Sequence, residues 1–91
     1  MVWRVEFDPK ADKELDRIDS QAAKRILKYL SQRIATNENP RRFGSPLHRD
    51  LVGLWKYRIG DYRVICYIQD HVLIVLIVRR KSNTNVRTKI P

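Results

Sequence analysis

Lys56, Arg58 and Arg63 lie close together in the stretch GLWKYRIGDYRVICYI, residues 53–68, among large apolar residues. Ile59-Gly60-Asp61-Tyr62 puts Gly first of two central turn residues, the pattern of a two-residue type II′ hairpin turn. In that register Arg58 faces Arg63 and Lys56 faces Ile65, while Trp55, Tyr57, Ile59, Tyr62, Val64 and Cys66 share the other face. Like charges placed directly opposite one another destabilise a sheet by a few tenths of a kcal/mol, up to about 1 kcal/mol. A polyanion in the gap would offset that. Phosphate groups fit the cluster because Arg offers a planar fork and Lys a compact point charge. The plainer reading is a solvated face from which each cation extends separately into water.

Other chemistry is thin. His48 and His71 are far apart in sequence and stand in loop or turn contexts, so neither a metal site nor a paired acid/base arrangement is expected, and no cofactor is expected either. Asp61 and Asp70 have turn propensity to explain them. Cys66 falls in an apolar strand pattern and reads as a structural thiol rather than a nucleophile. The sequence has no Walker-type loop, no Gly-rich dinucleotide fingerprint and no nucleophile elbow. Any catalysis on a phosphodiester would fall to the cations.

These side chains need elements to hold them. Val2, Arg4 and Glu6 alternate with Trp3, Val5 and Phe7, the period-two pattern of a strand with one apolar face. Asp8-Pro9 opens a helix, in which Ala11, Leu15 and Ile18 form an inward stripe. Asp19-Ser20 breaks it and caps a second helix, where Ala22, Ala23, Ile26, Leu27, Leu30 and Ile34 recur at helical spacing. Residues 37–46 read as loop. Everything after Leu54 reads as sheet: the hairpin above, then a second turn at Asp70-His71 leading into Val72–Val78, whose unbroken apolar character marks a central strand. From Arg79 the chain turns basic and polar. The order strand, helix hairpin, three-stranded antiparallel meander predicts an α+β domain with the helices packed on one face of the sheet, occupying residues 1–91 as a single unit.

The formal charge of +9 is unevenly spread. Residues 1–20 sum to −2 and the remainder to +11. Such concentration favours nucleic acid, an acidic protein or an anionic surface as partner. One cysteine cannot form an internal disulfide and suits a reducing cytoplasm. With no secretory core at the amino end and no apolar run long enough to span a bilayer, a cytoplasmic protein with no membrane partner is expected.

Residues 39–68, NPRRFGSPLHRDLVGLWKYRIGDYRVICYI, resemble the central signature of the RelE/ParE toxin superfamily: an Asn-Pro loop, a Gly-x-Pro-Leu step, Gly-Leu-Trp and a Gly-x-Tyr-Arg-Val hairpin, in that order. The order of elements extends the likeness over the whole chain and implies a RelE-like fold. The basic hairpin resembles the RelE branch, whose members cleave mRNA on the translating ribosome without a metal. The ribose 2′-hydroxyl attacks the adjacent phosphate. By motif position the resemblance implies a catalytic role for Lys56, Arg58, Arg63 and Lys81, and RNA contacts from Arg49, Arg79, Arg80 and Arg87. Arg63 would hold the scissile phosphate. Lys56 is the better base, since a guanidinium keeps its proton.

The resemblance further implies a cognate antitoxin, the ribosome and mRNA as partners, and a higher-order toxin–antitoxin complex. It breaks at one place. Many RelE members carry a Val-Tyr pair whose tyrosine stacks on the substrate base and has been given an acid/base role, whereas this chain has Val86-Arg87. A guanidinium can stack on a base but does not readily donate a proton. Two other readings follow from the same signature: a ParE-like inhibitor of DNA gyrase, and an RNA- or ribosome-binding domain with impaired catalysis.

Overall fold

The structure, a computed structural model, describes residues 2–48 and 52–81. Strand β1 (Arg4–Phe7) leads into α1 (Pro9–Arg17), where Asp8 accepts a hydrogen bond from the Lys10 backbone N–H at 3.1 Å and Pro9 fills the first turn. Proline has no N–H to leave unpaired there. Helix α2 (Ser20–Tyr29) is capped in the same manner by Asp19, which accepts from the Ala22 N–H at 3.2 Å. Ala11 and Leu15 of α1 and Ile26 of α2 are buried.

The apolar stripe of α2 runs on to Leu30 and Ile34, as the spacing predicts, but the segment Leu30–Ile34 is a π-helical turn closed by the Ala35 N–H on the Leu30 carbonyl at 2.8 Å. Ile26, Leu30 and Ile34 are four apart, and in a straight α-helix each such step rotates a side chain by about 40°. One wider turn reverses part of that drift. All three side chains therefore reach the core.

Both helices lie on one face of a five-stranded sheet ordered β1-β5-β4-β3-β2, α1 against β5 and β1, α2 against β3. Strands β3 (Leu54–Ile59), β4 (Tyr62–Gln69) and β5 (Val72–Arg80) form the expected antiparallel meander. Two features lie beyond the sequence reading. β1 pairs in parallel with β5, Arg4 opposite Val72 through Phe7 opposite Val75. Within the segment read as loop, Ser45–Pro46 forms a fifth strand, β2, antiparallel to β3 with Ser45 opposite Lys56. Proline suits this position because an edge strand need not donate outward.

The inner face of the sheet, toward the helices, carries Tyr57, Ile59, Val64, Cys66, Ile68 and Leu73, all at most 3% exposed. A bulge interrupts the β4–β5 ladder: Cys66 pairs with Val75, but Ile65 pairs with Ile77, so Leu76 is an extra residue. Among the described residues no helix is long and apolar enough to cross a membrane.

Burial pushes the Cys66 thiol well above its usual pKa, so the native protein presents no thiolate there. A thiol reagent should label Cys66 fully once denaturant unfolds the chain and negligibly before. Labelling of the native protein at the unfolded rate would mean that the inner face of β4 is open.

Candidate nucleic-acid interface

The hairpin register follows from Gly60, whose φ of +60° is the left-handed geometry a type II′ turn needs at its first central position. Arg58 therefore stands opposite Arg63 on the outer face, away from the helices. The bulge at Leu76 completes the row. In an unbroken β5, residues 73, 75, 77 and 79 would share the inner face. One extra residue reverses the parity, so Val78 turns inward opposite Val64 and Arg79 turns outward opposite Arg63. Arg58, Arg63 and Arg79 thus form one row across three strands, and Lys56, Ile65 and Ile77 form the next.

Two depressions open on this face. One, of about 250 Å³, has an apolar floor of Leu47, Ile65 and Ile77 rimmed by Arg63, Arg79, Arg80 and Lys81. The other, of about 300 Å³, is bounded by Gly44, Ser45, Lys56, Tyr57, Arg58 and Arg63. Arg63 is the wall they share. Among the described residues, Lys56, Arg58, Arg63 and Lys81 meet no carboxylate within salt-bridge distance.

Arg79 differs, because Glu14 reaches round from α1. One carboxylate oxygen accepts a hydrogen bond from the Val78 N–H at 2.8 Å, where β5 has run past β1, and the other lies 3.7 Å from the Arg79 Nε. Lys81 is held at the hairpin tip by its backbone N–H, which donates to the Asp61 carbonyl at 2.7 Å.

The segment leading into β2 is clamped to β3 by two aromatic donors. The Tyr57 hydroxyl donates to the Pro40 carbonyl at 2.9 Å, and the Trp55 indole N–H donates to the Phe43 carbonyl at 2.7 Å. Burial, reinforced by Cys66 and Tyr29, holds the Tyr57 phenol far above its usual pKa, so it remains a donor. Gly44 has φ +70°, and a Cβ there would collide with the Lys56 carbonyl. That close approach brings Ser45 alongside Lys56.

The structure therefore brings together Lys56, Arg58, Arg63, Arg79 and Lys81. Arg80 stands opposite Tyr62 in a register that belongs to the helix side, although at the strand end it borders the outer depression as well. Arg49 and Arg87 lie outside the described residues. Gly44 and Ser45 border the site although the sequence offered them only as loop and as part of the Gly-x-Pro-Leu step. Gly44-Ser45-Pro46 is loop chemistry by composition, and only pairing with β3 makes it a wall.

What the fold and this face define is a small α+β protein with a cationic sheet surface that, among the described residues, no helix covers. The family model described as the ParE toxin of type II toxin–antitoxin system, parDE, matches residues 5–83. Toxin RelE of Mycobacterium tuberculosis is 33% identical over 84 residues, 89% of this chain and 84% of the relative. The solved toxin–antitoxin complex RelBE2 from the same organism superposes with a TM-score of 0.77 at 24% identity, over 88% of this chain and 99% of that one. The isolated Escherichia coli RelE toxin gives 0.74 at 18% identity, over 92% and 89% of the respective chains. At these identities the structural likeness is one of fold. The chain belongs to the RelE/ParE family and is a toxin of the type II toxin–antitoxin class.

Two substitutions separate clamp from row. Tyr57→Phe should cost about 1 kcal/mol, more if the Pro40 carbonyl stays dry and unpaired. That lowers the melting temperature by roughly 4–8 °C per kcal/mol in a domain of this size. Arg63→Gln should leave the melting temperature unchanged or raise it slightly, since it removes like charges from both neighbours in the row. A clear loss of stability in Arg63→Gln would show that the row is structural.

Proposed function

We propose that this toxin cleaves messenger RNA held by the translating ribosome, in the cytoplasm. The observation that carries the reading is the row Arg58–Arg63–Arg79, with Lys56 and Lys81 on either side of Arg63 and an apolar floor beneath. Phosphates fit the guanidiniums, and a base can lie on Ile65 and Ile77. In the reaction the ribose 2′-oxygen attacks phosphorus, the bond from phosphorus to the 5′-oxygen breaks, and a cyclic phosphate remains. Arg63 meets the charge that grows on the phosphoryl oxygens. An in-line displacement needs its base and its acid on opposite sides of phosphorus. Lys56 takes the 2′-hydroxyl proton from one depression, and Lys81, in the other, supplies a proton to the departing oxygen. Arg58 and Arg79 hold the neighbouring phosphates.

The cationic face also fits an acidic partner. The RelBE2 toxin was solved as a toxin–antitoxin complex, and here an antitoxin laying acidic side chains over Arg58, Arg63 and Lys56 would block the same surface that binds message, singly or in a larger assembly. A second reading has one observation in its favour: the matching family model is that of ParE. Under it the same face would dock on DNA gyrase and no RNA would be cut.

Primer extension on a ribosome-bound message tests the first reading. Arg63→Ala should abolish cleavage while circular dichroism stays that of the folded protein, and Arg63→Lys should retain part of the rate. If induction halts replication and supercoiling before translation, with message intact, the gyrase reading replaces it. A separate comparison concerns residue 87. Arg87→Tyr should speed single-turnover cleavage without much change in ribosome binding if a proton donor is what this chain lacks there.

A further inference from the structure

We infer that α2 carries a second nucleic-acid contact, a stripe of cations that takes the phosphate backbone of a structured RNA on the side of the molecule away from the open sheet face. Gln21, Lys24, Arg25 and Lys28 recur at steps of three and four, so they fall on one line along the helix. All four are exposed, and together they line a shallow depression of about 380 Å³. Helix α2 contains no Asp or Glu, whereas α1 intersperses Asp12 and Asp16 with Lys13 and Arg17. Among the described residues, Lys24, Arg25 and Lys28 meet no carboxylate within salt-bridge distance. Lys24 and Lys28 therefore repel one another at a spacing where an acid would ordinarily relieve them.

The middle of the stripe is built into the fold. The Arg25 guanidinium lies across Gly60 at the tip of the β3–β4 hairpin, where a Cβ would come 2.6 Å from its Nη1. Arg25 also borders a depression it shares with Arg80, Asp61 and Tyr62. Its position is thus set by the packing of α2 on the hairpin rather than by solvent alone.

The chemistry of the stripe selects the partner. No aromatic side chain lies in it, so an unpaired base has nothing to stack on. Protein interfaces are centred on buried apolar and aromatic anchors, and this lining has none. Leu27, 45% exposed, stands on its flank. Fixed positive charges on a stiff helix suit the regular phosphates of a duplex, read by shape and charge. The choice of RNA over DNA rests on the reading proposed above. The toxin then holds a single-stranded message on its sheet face and structured RNA on its helix face, and the second contact anchors it without touching the scissile phosphate.

Fluorescence anisotropy with a short RNA duplex, over a series of salt concentrations, tests this. Lys24→Gln/Lys28→Gln should weaken binding about ten-fold at low salt and flatten the slope of log affinity against log salt by roughly two. Leu27→Ser should change neither, and Arg63→Ala, which disables the sheet face, should keep most of the duplex affinity. Unchanged duplex binding in the double variant overturns the inference. So does an equal loss in Leu27→Ser, which would make the surface an apolar protein contact, or wild-type binding to a DNA duplex alone. If the wild type binds duplex through α2 yet leaves ribosome-bound message whole, the cleavage reading fails and this contact stands.

Discussion

The alternation of side chains along a strand, and its single interruption, governs the rest of this molecule. Along β3 and β4 every second residue enters the core, so Lys56, Arg58 and Arg63 face outward as a direct consequence of burying Tyr57, Ile59, Val64 and Cys66. In β5 the same rule would turn Arg79 inward against the helices, where an unpaired guanidinium is costly. The extra residue Leu76 reverses it. A bulge of one residue thus converts a strand whose lower half is fixed by Leu73 and Val75 into one whose upper half presents Arg79 beside Arg63, and the row of three guanidiniums depends on it.

The inner face supplies the rigidity that such a row requires. Tyr57 and Trp55 use their polar ends to hold the Pro40–Gly44 segment, while their rings belong to the packing under the sheet. Each aromatic therefore ties the edge of the cationic face to the core. Glu14 does the same from the other edge, spending one carboxylate oxygen on the β5 backbone and leaving the other toward Arg79. On the outer face, among the described residues, Arg58 and Arg63 stand opposite one another without a carboxylate partner, a stability cost that the apolar inner face has to outweigh.

Much of this was legible in the residues. Asp8-Pro9 and Asp19-Ser20 mark both helix starts because a short acidic side chain satisfies the first free N–H groups, and Gly60 fixes the hairpin register because few other residues tolerate its backbone angle. Arg58 opposite Arg63 follows at once. The bulge was not legible. Val72–Val78 is apolar at every position, so no alternation is present in the sequence for an extra residue to interrupt, and the run Arg79-Arg80-Lys81 reads as one cationic patch when its members in fact face opposite ways. β2 escaped for a different reason: two residues carry no period, and Gly44-Ser45-Pro46 has turn composition. The parallel pairing of β1 with β5 joins segments from opposite halves of the chain, which local patterns do not register.

That pairing bears on when the protein can fold. β1 finds its strand partner only in β5, α1 packs chiefly on β5, and the Glu14 carboxylate caps the backbone of β5. β1 and α1 lack their main packing surface until β5 has been made, so the β1–β5 half of the sheet forms after the β2–β3–β4 half has become available. The row of guanidiniums, whose third member sits on that same strand, is assembled at the same late moment.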